Sequence, residues 1–107
     1  PQPTIRDYLM RKQECQKGGQ RAPIREYQLF YTTIHANLMC FFIDLRDYNQ
    51  LNAACQPINL FKCKLNKIED TTIQRNVIHL ETADGAEYLF DAAGDENDED
   101  CLNLWYS

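Results

Sequence analysis

The chain has little of what dedicated chemistry is usually built from. It holds only two histidines, His35 and His79, far apart in sequence, so no histidine cluster is available. The cysteines, Cys15, Cys40, Cys55, Cys63 and Cys101, are odd in number and never spaced as Cys-x-x-Cys, which argues against both a disulfide framework and a zinc site. There is no glycine-rich phosphate loop opening a helix. Cys63 and His79 form the one nucleophile and base pairing that neighbouring strands could bring together, and nothing beside them would hold developing charge. An enzyme is not expected, nor a metal or a cofactor. No apolar run approaches the roughly 20 residues that span a bilayer, and Pro1 to Asp7 lacks the apolar stretch of a signal peptide, so a cytoplasmic, non-transmembrane domain is expected. An acidic balance without a basic-aromatic stripe opposes nucleic-acid binding.

What is present describes one ordinary domain: 107 residues, 44% hydrophobic and 25% charged, enough apolar material for a single core. Cys40 and Cys63 lie in apolar segments, where a reduced thiol acts as a small hydrophobe. The net charge of -5 hides two ends of opposite sign. From Pro1 to Arg25 the bases Arg6, Arg11, Lys12, Lys17, Arg21 and Arg25 face only Asp7 and Glu14, whereas from Glu69 to Ser107 the lone base is Arg75 among many carboxylates. If the fold sends these ends to opposite poles, the domain is an electrical dipole able to orient over an anionic surface.

Alternating apolar and polar residues predict short strands at Thr4 to Lys12, Glu26 to Ile34, Leu38 to Asp44, Ile58 to Leu60, Lys62 to Ile68, Arg75 to Thr82 and Ala86 to Ala92. Gln16 to Gln20 reads as a flexible, glycine-bearing turn and Asp84-Gly85 as a tight hairpin turn. Leu45 to Gln56 reads as the longest loop, with one helical turn around Leu51 to Cys55 ending before Pro57. After Gly94, Asp95 or Asp98 is placed to cap a closing amphipathic helix that carries Leu102, Leu104 and the single tryptophan, Trp105.

Seven short strands followed by a tryptophan-bearing helix resemble a pleckstrin-homology domain, and nearest to it the β-spectrin type. The likeness is carried by Asp7-Tyr8-Leu9-Met10-Arg11-Lys12, by Arg25-Glu26-Tyr27-Gln28-Leu29-Phe30, by Thr82 to Phe90 and by Trp105. It implies a mainly β, PH-like barrel of two near-orthogonal antiparallel sheets, with seven strands, capped by one C-terminal helix. It also implies that residues 1–107 are a single domain excised from a larger cytoskeletal or signalling protein.

The family's function implies a membrane-targeting or adaptor module that binds phosphoinositide head groups or inositol phosphates, peripheral to the inner membrane surface. By resemblance Lys12 matches the basic residue ending the first strand and Arg21 the arginine of the first loop. Lys17, Arg25 and Arg75 add to the field, and strand alternation sends Arg11 and Lys12 to opposite faces. Departures from the family pattern weaken the site: Glu26 stands where many members carry arginine, Pro23 where an aromatic is usual, and Thr71 to Gln74 where lysines are usual. Weak, salt-sensitive lipid binding is therefore expected. The alternative is a protein-interaction domain that keeps the fold with little or no lipid binding, using a sheet edge, the Leu45 to Gln56 loop or the acidic helix.

Overall fold

The computed structural model describes residues 5–92. In chain order the elements are β1 (Ile5–Cys15), β2 (Gln28–His35), β3 (Leu38–Phe42), α1 (Leu45–Asn49), β4 (Ile58–Asn59), β5 (Lys64–Asp70), β6 (Arg75–Glu81) and β7 (Glu87–Ala92). All seven expected strands are present, within a few residues of their expected bounds. The closing helix and Trp105 lie outside the described residues.

The strands form one antiparallel order, β4-β3-β2-β1-β7-β6-β5, and β1 is the hinge of it. Its first part pairs with β2, from Ile5 opposite Ile34 to Arg11 opposite Gln28. Its second part pairs with β7, from Leu9 opposite Ala92 to Cys15 opposite Glu87, with an irregularity between Gln13 and Cys15. This second partnership carries β1 to Cys15, beyond the Lys12 that alternation alone suggests. The two expected sheets are thus two halves that share one strand.

Side chains alternate across each strand. Leu9 faces inward with Phe30, Met39, Phe41, Ile78, Leu80 and Phe90, and these form the buried core. Tyr8 faces outward, level with Tyr31 and Phe42 across β2 and β3. That outer face is also covered. Tyr8 and Tyr31 meet edge to face with centroids 5.0 Å apart, and Tyr48 of α1 lies 5.5 Å from Tyr31 and 5.3 Å from Phe42. The Arg6 guanidinium lies 5.5 Å over the Tyr48 ring. Burial on both faces is why residues 30 to 33 of β2 are all buried instead of every second one.

The helical turn expected around Leu51 to Cys55 lies instead at Leu45–Asn49. Asp44 caps it, its carboxylate accepting the Asp47 N–H at 2.9 Å, and this cap also ends β3 at Phe42 instead of Asp44. Leu51, at φ 57°, adopts the left-handed conformation that stops a helix. Truncating Phe41, fully buried between Phe30 and Phe90, is expected to cost about 3–5 kcal/mol as Phe41→Ala. Leu51→Ala, at a residue 83% exposed, is expected to stay within about 0.5 kcal/mol; urea denaturation of both variants measures the contrast.

Candidate functional site

The β1–β2 connection carries most of the predicted basic residues, and it is not a loose turn. The Gln16 N–H donates to the Gln20 carbonyl at 2.6 Å, Gly19 to Gln16 at 3.0 Å, and Ala22 back to Glu14 at 3.0 Å. Arg21 folds back to bridge Cys15, so the segment doubles along the end of β1. Its tip is fastened to the β6–β7 turn by Gly18 N–H donating to the Asp84 carbonyl at 2.7 Å. Gly85, at φ +91°, completes that turn, and a Cβ there would meet the Gly19 nitrogen at 3.1 Å, so both the conformation and the approach call for glycine. The expected flexible turn is therefore held by bonds borrowed from a distant hairpin.

Three predicted cations are exposed on this loop. The Lys17 side chain is 85% exposed, its ammonium 4.0 Å from an Asp84 carboxylate oxygen, while Arg21 and Arg25 are also exposed. Asp84 is held below the usual carboxylate range, chiefly by the Thr82 hydroxyl. Between Arg21 and Arg25, Ala22 is buried as an anchor and Ile24 is 65% exposed. Beside Lys17 a cleft of about 310 Å³ opens between the β6–β7 turn and the chain from Pro57 to Phe61.

The other two predicted cations, Lys12 and Arg75, are engaged by carboxylates. The Lys12 side chain is only 16% exposed, its ammonium 3.1 Å from Glu14 and 5.6 Å from the centre of the Tyr27 ring. Tyr27 donates to Asp70 at 2.7 Å, and Asp70 also accepts the Thr72 hydroxyl at 2.6 Å and the Thr72 N–H at 3.0 Å. The Arg75 guanidinium holds buried Asp91, with Nε 2.8 Å from Oδ2. Thr72 and Tyr27 draw the Asp70 carboxyl below its ordinary range, with the Lys12 charge a smaller contribution. Burial and then the bond to Asp70 push the Tyr27 phenol strongly upward. Lys12 and Arg75 thus share their surroundings with Glu14, Asp70 and Asp91, and a phosphate there would compete with three carboxylates.

Arg11 points the other way, as alternation requires. Its guanidinium is 4.5 Å from the centre of the Phe41 ring, 4.8 Å from Tyr88 and 5.5 Å from Phe30. One of its N–H groups donates to the Cys55 sulfur at 2.9 Å. Sequence reading separates Arg11 from Lys12 by face but gives no sign of the aromatic enclosure, because Phe41, Cys55 and Tyr88 are remote in the chain.

Cys63 and His79 do not come together. Cys63 packs against the core, while His79 contacts Glu87 at 2.8 Å on the other face of the sheet. Glu87 is drawn below its usual range by His79 first and Cys15 second, and burial raises the Cys15 thiol. Among the described residues no group of three or more histidines, cysteines or carboxylates could hold a metal ion, and no helix is long and apolar enough to cross a membrane.

Comparison with solved structures places this architecture. The crystal structure of the pleckstrin homology domain of ArhGAP27 is similar with a TM-score of 0.72 and 21% identity, over 94% of this chain and 90% of that one. No family model matches the sequence, and no curated protein matches it. The likeness shows a pleckstrin-homology fold and does not single out the β-spectrin type.

The Tyr27–Asp70 bond predicts a two-sided pH dependence. A depressed Asp70 contributes stability that is present above its unfolded value of about 4 and lost as pH falls through the folded one. A raised Tyr27 contributes stability that is present below about pH 10 and lost as pH climbs above it. Thermal melts from pH 2 to 11 are expected to show Asp70→Asn flattening the acid limb and Tyr27→Phe flattening the alkaline limb. Unchanged limbs in both variants would show that the bond is idle.

Proposed function

We propose that this chain is a non-catalytic docking module of a cytoskeletal or signalling protein, associating weakly with anionic phospholipids, phosphoinositides among them, through the β1–β2 loop. The observation that carries this reading is the pinned loop itself, on which Lys17, Arg21 and Arg25 are exposed around an exposed Ile24. Arginine can grip phosphate oxygens in a bidentate fork, and a loop already fixed by Gly18 and Gly85 loses little further freedom on docking. In this reading Lys12 and Arg75 support the loop and its neighbouring strands through their ion pairs, instead of supplying the main contacts.

Magnitudes keep the interaction weak. Basic side chains near an anionic surface contribute about 1 kcal/mol each, so three supply roughly 3 kcal/mol, and burying Ile24 would add about 2 kcal/mol. The sum corresponds to a dissociation constant somewhat below millimolar, which repulsion by Glu26 raises. Such a module sits at the membrane only beside a second attachment. Engagement of Lys12 and Arg75 by carboxylates favours a second reading, in which protein contact is the main task and lipid a minor one.

Vesicle sedimentation distinguishes the two. Lipid-dependent pelleting at low salt, reduced at physiological salt and at least about fivefold weaker for Lys17→Glu with Arg21→Glu, is expected. Pelleting that ignores this double charge reversal, or none at low salt, rejects the lipid-binding loop.

A further inference from the structure

We infer that the cleft beside Lys17 receives the head group of an aminophospholipid, one that carries phosphate and a primary ammonium on a short linker, as phosphatidylserine does. The inference deepens the membrane reading, on which it rests for the source of the ligand, and it assigns that lipid a chemical class. The cleft, about 310 Å³, has room for a small polar group. It is lined by Lys17 of the β1–β2 loop, by Asp84 and Ala86 of the β6–β7 hairpin, and by Ile58, Asn59 and Phe61. Ile58 and Ala86 are buried and give it an apolar base, whereas Lys17, Asn59, Phe61 and Asp84 are exposed. Its walls are held in place, since Gly18 N–H donates to the Asp84 carbonyl and Phe61 N–H donates to Asn59 Oδ1 at 2.9 Å.

Two opposite charges face this space without being bonded to each other. The Lys17 ammonium lies 4.0 Å from Asp84 Oδ2, too far for a hydrogen bond, and the two side chains are 85% and 50% exposed. Exposed pairs of this kind contribute little to stability, so parting them costs little. Asp84 Oδ1 accepts the Thr82 hydroxyl, which fixes the carboxylate at the cleft and keeps it ionised. Phe61 is 58% exposed and already attracts a cation, the Lys62 ammonium lying 5.5 Å from the centre of its ring.

A ligand of one sign fits this arrangement poorly. A polyphosphate or an acidic side chain would meet Asp84, and a lysine or arginine side chain would meet Lys17. A group carrying both signs suits both: its phosphate oxygens go to Lys17, and its ammonium goes to Asp84 and the Phe61 ring. Phosphatidylserine adds a carboxylate, for which Lys62 stands beside Phe61. The lipid is favoured over a free aminophosphate by position, because Lys17 belongs both to the cleft and to the exposed loop that carries the membrane reading.

The test compares sedimentation on vesicles of equal surface charge, made with phosphatidylserine or with phosphatidylglycerol. Both use a phosphatidylcholine background, whose trimethylammonium has no N–H to give Asp84. The whole chain is expected to bind the serine lipid at least about fivefold more tightly. Asp84→Asn keeps an acceptor for Thr82 and suits the turn before Gly85, and it is expected to abolish that preference. Phe61→Ala is expected to reduce it about threefold. Titration of the 15N-labelled chain with O-phosphoserine is expected to give saturable shifts at Lys17, at Phe61 and from Ala83 to Ala86, with smaller ones from glycerol phosphate. Equal binding of the two vesicle types, a preference that survives Asp84→Asn, or no saturable phosphoserine shift overturns the inference. Phosphoserine shifts without sedimentation on either vesicle overturn the membrane reading while upholding the cleft, so the two failures remain distinguishable.

Discussion

The alternation of side chains along β1 is the constraint on which the rest of the molecule depends. One strand serves both halves of the sheet, so its inward residues must suit two sets of neighbours at once. Leu9 does this as a fully buried apolar group. Arg11 does it by enclosing a cation among Phe30 of β2, Phe41 of β3 and Tyr88 of β7, with Cys55 from the β3–β4 connection as a hydrogen-bond acceptor. A guanidinium over aromatic faces gains about 0.5 to 2 kcal/mol, more as water is excluded, and here one side chain joins four segments. A slip of one residue would exchange Arg11 with Lys12, placing a compact, strongly hydrated ammonium among the rings and carrying the Glu14 carboxylate with it to the inner face.

Much of the fold was legible because it depends on local period. Seven runs of alternation became seven strands, and Asp84-Gly85 became the turn that glycine geometry demands. The loop expected from Leu45 to Gln56 misled because its polar composition conceals Tyr48, which covers the outer face of β2 and β3. Residues buried on both faces of a strand lose the alternating signature, so Phe41 and Phe42 could be read as either core or cover; they are one of each. The Asp44 cap was a local signal for the true helix start, lying just beyond the aromatic run of β3.

The candidate site was legible in composition and less so in detail. Cations concentrate near the N-terminal end of the chain, yet their availability is decided by partners that periodicity cannot reveal. Glu14, two residues from Lys12 and on the same face, was a local hint that the lysine would be engaged. Asp91 is 16 residues from Arg75 and Asp70 is 43 from Tyr27, so those attachments exist only once β7 and β5 are folded against their neighbours. The result sorts charge by element: Arg11 and Lys12 of β1 and Arg75 of β6 are tied to carboxylates or rings, and the basic residues on the β1–β2 loop are exposed.

That sorting bears on how so weakly basic a module could act. A weak charge-based contact gains by effective concentration when a second attachment is made, because the first then becomes intramolecular. A loop with only three exposed cations then has an advantage over a strongly basic one, because attachment by charge alone would hold the domain at any anionic surface. The carboxylates around Lys12 and Arg75 have the same consequence, since they lower the field at the loop while stabilising the strands beneath it. In this chain the carboxylates that secure the strands are also the ones that limit the positive field around the β1–β2 loop.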